Sequence, residues 1–224
     1  MSDYDGTLSP TTFLNHNNIK NEVFPNNNYS KTLELEKVLW EISSKIPIGI
    51  ISTKDFNFLH SRTRFANVFS CIMSIETIII KHSKSDICYK DNCVHKSLLN
   101  INSEILKINS QKLESIVEKI LTKFKDLSID RKSTFNPSLL AGITIDWRHL
   151  DDWNSIKKQV EPIILKMINQ EIENDTNSKY PLFVQTYSSH PFIDIYSSVF
   201  SKETAYDNIC NIVNESHISR LENK

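Results

Sequence analysis

The chain opens M-S-D-Y-D-G-T-L-S-P (residues 1–10), and the run Asp3-Tyr4-Asp5-Gly6-Thr7 decides how the rest is read. Side chains alternate along an extended strand, so Asp3 and Asp5 point the same way. Two carboxylates converging at a strand end suit Mg²⁺, which takes hard oxygen ligands and usually keeps water. One carboxylate can attack phosphorus while the other moves a proton. Gly6 permits the sharp exit that brings backbone N–H groups up to a phosphate. The competing reading is an acidic turn, because D-x-D-G is also common in loops. Such a run normally closes a buried strand, and here no strand-length text precedes it.

With 224 residues the chain can bury one core, or a core and a smaller second domain. Hydrophobic residues make up 39% and charged residues 24%, the balance of a globular protein rather than a disordered one. A formal net charge of −1 gives no electrostatic footprint for nucleic acid or anionic lipid. No apolar run approaches the roughly 18 residues that would span a membrane, and no basic-then-apolar leader opens the chain. Cys71, Cys88, Cys93 and Cys210 are scattered, which fits free thiols in a reduced, cytoplasmic setting.

An Asn-rich stretch (residues 15–28) reads as a surface loop, and Ser30 as the cap of a helix whose stripe is Leu33, Val38, Leu39 and Ile42. I-P-I-G-I-I-S-T (residues 46–53) has the composition of a buried parallel strand ending in hydroxyls. K-D-F-N-F-L-H-S-R starts another helix, and V-F-S-C-I-M-S and I-E-T-I-I-I-K give two more strands. This order is that of a doubly wound α/β core. From about Ser83 the text becomes turn-rich, then a long helix runs from about Asn102 to Asp126, with Ile105, Ile108, Leu113, Ile116, Ile120 and Phe124 on its buried side. Short strands around Gly142, a helix over about 151–173 kinked at Pro162, two strands and a last helix after Ser201 complete the chain.

D-Y-D-G-T-L-S-P closely resembles the first motif of haloacid dehalogenase-superfamily phosphatases, the trehalose-6-phosphate phosphatase branch in particular. The resemblance implies Asp3 as the nucleophile that forms an aspartyl-phosphate and Asp5 as the general acid and base, both holding Mg²⁺. It places a phosphate-binding hydroxyl at Ser52, with Thr53 beside it, and a lysine at Lys202 in S-K-E-T-A-Y-D-N-I. Gly6 and Thr7 join the phosphate-binding set. A lysine there offsets the repulsion between an attacking carboxylate and a phosphate. The implied fold is a three-layer α/β/α core over residues 1–82 and 188–224, incomplete at both ends, with an inserted α+β cap over 83–187.

The resemblance has departures. The second motif reads Ser52-Thr53-Lys54-Asp55 where relatives carry Ser-Gly-Arg, and no Gly-Asp-x-x-x-Asp run follows Lys202. Asp207 and Glu215 read as helix-surface charges. Cap residues that could meet a sugar are Arg131, Lys132, Trp147, Arg148 and His149, though packing or solvated roles suit each of them better. His82, Cys88, Cys93 and His95 match no common zinc-finger spacing. The expected activity is a Mg²⁺-dependent sugar-phosphate phosphatase, with trehalose 6-phosphate leading and other glycosyl phosphates close behind. The alternative is a truncated or catalytically inactive domain that binds a ligand or partner.

Overall fold

The computed structural model describes residues 2–3, 26–80, 94–173 and 180–221. They form a mixed α/β fold with two sheets and five helices. No helix among them is long and apolar enough to cross a membrane. Two units are distinguished, residues 1–98 with 200–224 and residues 99–199.

In the first unit, β1 (Ser2–Asp3), β2 (Gly49–Ile51) and β3 (Val68–Cys71) run parallel, with Ser2 opposite Ile50 and Asp3 opposite Ile51. β4 (Glu76–Ile80) turns back antiparallel to β3, and β5 (Val94–Leu99) completes the order β1-β2-β3-β4-β5. The opening motif therefore does touch a strand, a two-residue one at the sheet edge. Ile50, Phe69 and Ile78 on these strands, and Ile72 and Ile75 in the connection from β3 to β4, are fully buried. Helix α1 (Asn26–Ser43) begins four residues before the expected cap at Ser30. Its Val38 and Ile42 are exposed, while Leu39 and Trp40 are half-buried, so the buried stripe is rotated from the expected one. Helix α2 (Phe56–Arg62) buries Phe56 and Leu59.

The second unit carries an antiparallel sheet built from β6 (Ser128–Ser133), β7 (Leu140–Asp146), β8 (Phe183–Thr186) and β9 (Phe192–Tyr196), in the order β6-β7-β9-β8. Helices α3 (Ser103–Lys123) and α4 (Trp153–Glu173) complete it, and α3 packs on β7 and on α4. Leu113, Ile116, Ile143, Ile145, Ile164, Ile193 and Ile195 form its core. On α3 the expected stripe shifts: Ile108 is exposed while Asn109 is buried, because the Asn109 amide donates to the Ser197 carbonyl at 3.0 Å. Pro162 lies inside α4.

Two boundaries differ from the sequence reading. β9 pairs with β7 and β8, so residues 188–199 go with the second unit rather than with a 188–224 core segment. β5 extends the first unit to Leu98, well beyond residue 82.

Gly142 lies against the Tyr196 ring in the second sheet. A Cβ there would stand 2.6 Å from Cδ1 of Tyr196, whose ring is buried in the same layer. Gly142→Ala is expected to destabilise the protein by about 1–3 kcal/mol, read as a lower urea midpoint at unchanged slope.

Candidate functional site

The C-terminal ends of parallel strands are where open α/β sheets bind ligands, and in the first unit β2 ends there in a polar turn. β2 continues into Ser52, whose N–H donates to the Ser70 carbonyl at 2.9 Å. The Ser52 hydroxyl oxygen accepts from the Lys54 N–H at 3.1 Å, closing a hydroxyl turn that leads into Asp55. Asp55 caps α2 by accepting from the Phe58 N–H at 2.9 Å. With Lys54 filling an acceptor position of the Ser52 oxygen, the serine retains its O–H to donate.

Helix α5 (Lys202–Leu221) opens beside this turn. Ser201 caps it by accepting from the Thr204 N–H at 3.0 Å, and Lys202 is its first residue. A lysine at the positive end of a helix opposes the macrodipole, so helix stability does not account for its presence there. Together Ile51, Ser52, Thr53, Met73, Ser74, Phe200 and Lys202 line a pocket of about 160 Å³. Three hydroxyls, an ammonium and a helix N-terminus in one pocket make it suited to an anion.

The floor of the pocket has an unusual backbone. Ile72, Met73 and Ser74 take φ of 51°, 53° and 66°, three left-handed residues in succession and none of them glycine. Each such residue costs roughly 1–2 kcal/mol, and a β-branched one more than most. The surrounding bonds hold them there: Ile72 N–H donates to the Lys54 carbonyl (3.0 Å), Met73 N–H to the Ser52 carbonyl (3.3 Å), and Phe200 N–H to the Met73 carbonyl (3.2 Å). The Ser70 hydroxyl donates to the Ser74 hydroxyl at 3.0 Å. Nothing in C-I-M-S-I, which reads as plain strand text, signals this turn.

Of the residues singled out from sequence, the structure brings Ser52, Thr53 and Lys202 together. It sets the backbone of Asp3 beside Ile51, one residue before Ser52, at the same end of the sheet. Asp5, Gly6 and Thr7 lie outside the described residues, as do His82, Cys88 and Cys93. Among the described residues no group of three His, Cys, Asp or Glu side chains is gathered to hold a metal.

The cap candidates take structural positions. Trp147 is fully buried in the core. Arg131 pairs with Glu114 at 2.6 Å, and Arg148 with Asp146 at 2.5 Å. His149 Nε2 meets the Asp126 carbonyl at 2.7 Å. Lys132 is 2% exposed and belongs to a buried network, with Asp194 Oδ1 and the Tyr196 hydroxyl each at 3.4 Å. Thr144 bonds to both Lys132 and Asp194, and Tyr187 donates to Asp194 Oδ2 at 2.8 Å. Burial, reinforced by the Asp194 charge and hydrogen bond, pushes the Tyr187 phenol well above its ordinary range.

No protein-family model and no curated protein matches the chain. Solved structures do. A trehalose-6-phosphate phosphatase related protein superposes with a TM-score of 0.52 at 14% identity, over 92% of this chain and 71% of that one. The C-terminal domain of the C. albicans trehalose-6-phosphate phosphatase matches at a TM-score of 0.49 and 19% identity, over 87% of this chain. The chain spans 55% of the length of that domain. An IMP-nucleotidase of Plasmodium falciparum matches at a TM-score of 0.39 and 12% identity. At 14% identity the likeness to the trehalose-6-phosphate phosphatase related protein concerns the fold alone.

Proposed function

We propose that the chain is a phosphoric monoester hydrolase acting on a sugar phosphate through an aspartyl-phosphate at Asp3. The observation that carries the reading is the convergence of Ser52, Thr53 and Lys202 on one pocket, from segments about 150 residues apart in sequence, at the sheet end where Asp3 stands. Asp3 attacks phosphorus in line, and Asp5 gives its proton to the departing sugar alkoxide. Asp5 then takes a proton from water, which attacks the aspartyl-phosphate and releases phosphate. The Ser52 O–H and the Lys202 ammonium hold the equatorial oxygens and offset their charge. Mg²⁺, when held by Asp3 and Asp5, supplies further positive charge against the phosphoryl group. Trehalose 6-phosphate is the leading substrate, on the resemblance of the opening motif, followed by other glycosyl phosphates.

Purified protein with Mg²⁺ should release phosphate from a panel containing trehalose 6-phosphate, other sugar phosphates and an aryl phosphate. No turnover on any of them by a well-folded chain would overturn the reading in favour of a ligand-binding domain. Lys202→Ala is expected to lower kcat by about 10²- to 10³-fold, while the melting temperature holds or rises because the cation opposed the helix dipole. A parallel loss of stability and activity would instead mark Lys202 as structural.

A further inference from the structure

We infer that the left-handed turn Ile72–Met73–Ser74 is the positioning element of the anion pocket, setting the Ser52 loop and the Lys202 helix against each other. The inference rests on the phosphatase reading of that pocket and adds residues which the opening motifs do not include. Its basis is the connectivity of the turn. The Met73 N–H holds the Ser52 carbonyl and the Ile72 N–H holds the Lys54 carbonyl, so one side of the turn fixes the loop that carries the pocket hydroxyls. The Met73 carbonyl accepts from the Phe200 N–H, two residues before Lys202, so the other side fixes the start of α5. One residue, Met73, thus bonds through its backbone to both walls and itself lines the space between them.

The conformation is what makes this possible. Successive N–H and C=O groups of a left-handed residue diverge in directions that an extended strand continuing β3 could not offer. Ile72 and Ser74, at 0% and 1% exposure, anchor the turn on either side. Strained backbone of this kind persists where its surroundings over-determine it, commonly at ligand sites. A pocket for a phosphoryl group needs its donors held close to a fixed geometry before the ligand arrives. The turn supplies that spacing through its main-chain bonds to the Ser52 loop and to Phe200.

The test uses the full chain with inorganic phosphate as the probe, read by calorimetry and by amide hydrogen exchange. Met73→Pro fixes φ near −65° and deletes the N–H that reaches Ser52, while Met73→Asn keeps both, because Asn tolerates the left-handed region. Phosphate affinity should fall at least about tenfold in Met73→Pro and stay within about twofold in Met73→Asn. With an aryl phosphate, kcat should fall in Met73→Pro more than KM rises, since the spacing matters most in the transition state. In the unaltered protein, saturating phosphate should slow exchange of the Met73 and Phe200 amides by about tenfold or more. This second measurement decides the matter even where Met73→Pro does not fold. Unchanged exchange at both amides, or a folded Met73→Pro that binds phosphate normally, would overturn the positioning role. Failure of the unaltered protein to bind phosphate at all would overturn the reading of the pocket, and the positioning role with it.

Discussion

Asp3→Asn is expected to reduce phosphate release by about 10³-fold or more while leaving the fold intact. The size follows from the chemistry: an amide oxygen is a poor nucleophile toward phosphorus, and losing a nucleophile removes the covalent route altogether. The preserved fold follows from the pairing of β1. Ser2 and Asp3 join the sheet opposite Ile50 and Ile51 through main-chain bonds, which the substitution does not touch. Steady-state release of phosphate from an aryl phosphate, with a thermal melt alongside, checks both halves. Activity within about tenfold of the unaltered protein would remove Asp3 from the nucleophile's role. Asp5→Asn should behave differently, slowing both proton transfers while leaving the attacking carboxylate in place.

The second large effect concerns stability. Asp194→Ala is expected to cost about 3–5 kcal/mol. Lys132 and Asp194 are 2% and 8% exposed at their side chains and 3.4 Å apart, so the alanine leaves a buried ammonium without its carboxylate. Thr144 and Tyr187 lose the acceptor they share, which adds the desolvation of their hydroxyls. Denaturant unfolding checks the figure. Asp194→Asn should recover part of the loss, because an amide oxygen still accepts from Tyr187. Lys132→Met combined with Asp194→Leu should recover more, since apolar replacement of a buried pair avoids the cost of stranding one charge. A loss below about 1 kcal/mol for Asp194→Ala would show that solvent reaches this network.

How much of this was legible in sequence depends on how well local text reports burial. Helix α3 and the strands β2, β3, β7 and β9 were readable, because Ile, Leu and Val at period 3.6 or in short continuous runs have few other solutions. The strands β5 and β6 were not. V-H-K-S-L-L and S-I-D-R-K-S place polar residues at strand positions, and Lys132 is buried only because Thr144 and Asp194 come from strands distant in sequence. Asn109 escaped for the same reason, its partner Ser197 being 88 residues away. Ser52 and Lys202, which line one pocket, stood out as candidates because resemblance fixes a motif's order along the chain. The turn at Ile72–Ser74 could not, since left-handed backbone is ordinarily signalled by Gly or Asn and neither stands there.

On the proposed mechanism a phosphoryl group passes through Asp3 beside Ser52 and Lys202. Acid quenching of the protein during turnover of an aryl phosphate, followed by reduction of acyl phosphates and peptide mapping, reads that step. A modified aspartate is expected at position 3, more abundant in Asp5→Asn, where water attack is slowed. Turnover with no modification at Asp3, or with the phosphoryl group found on another residue, would contradict it.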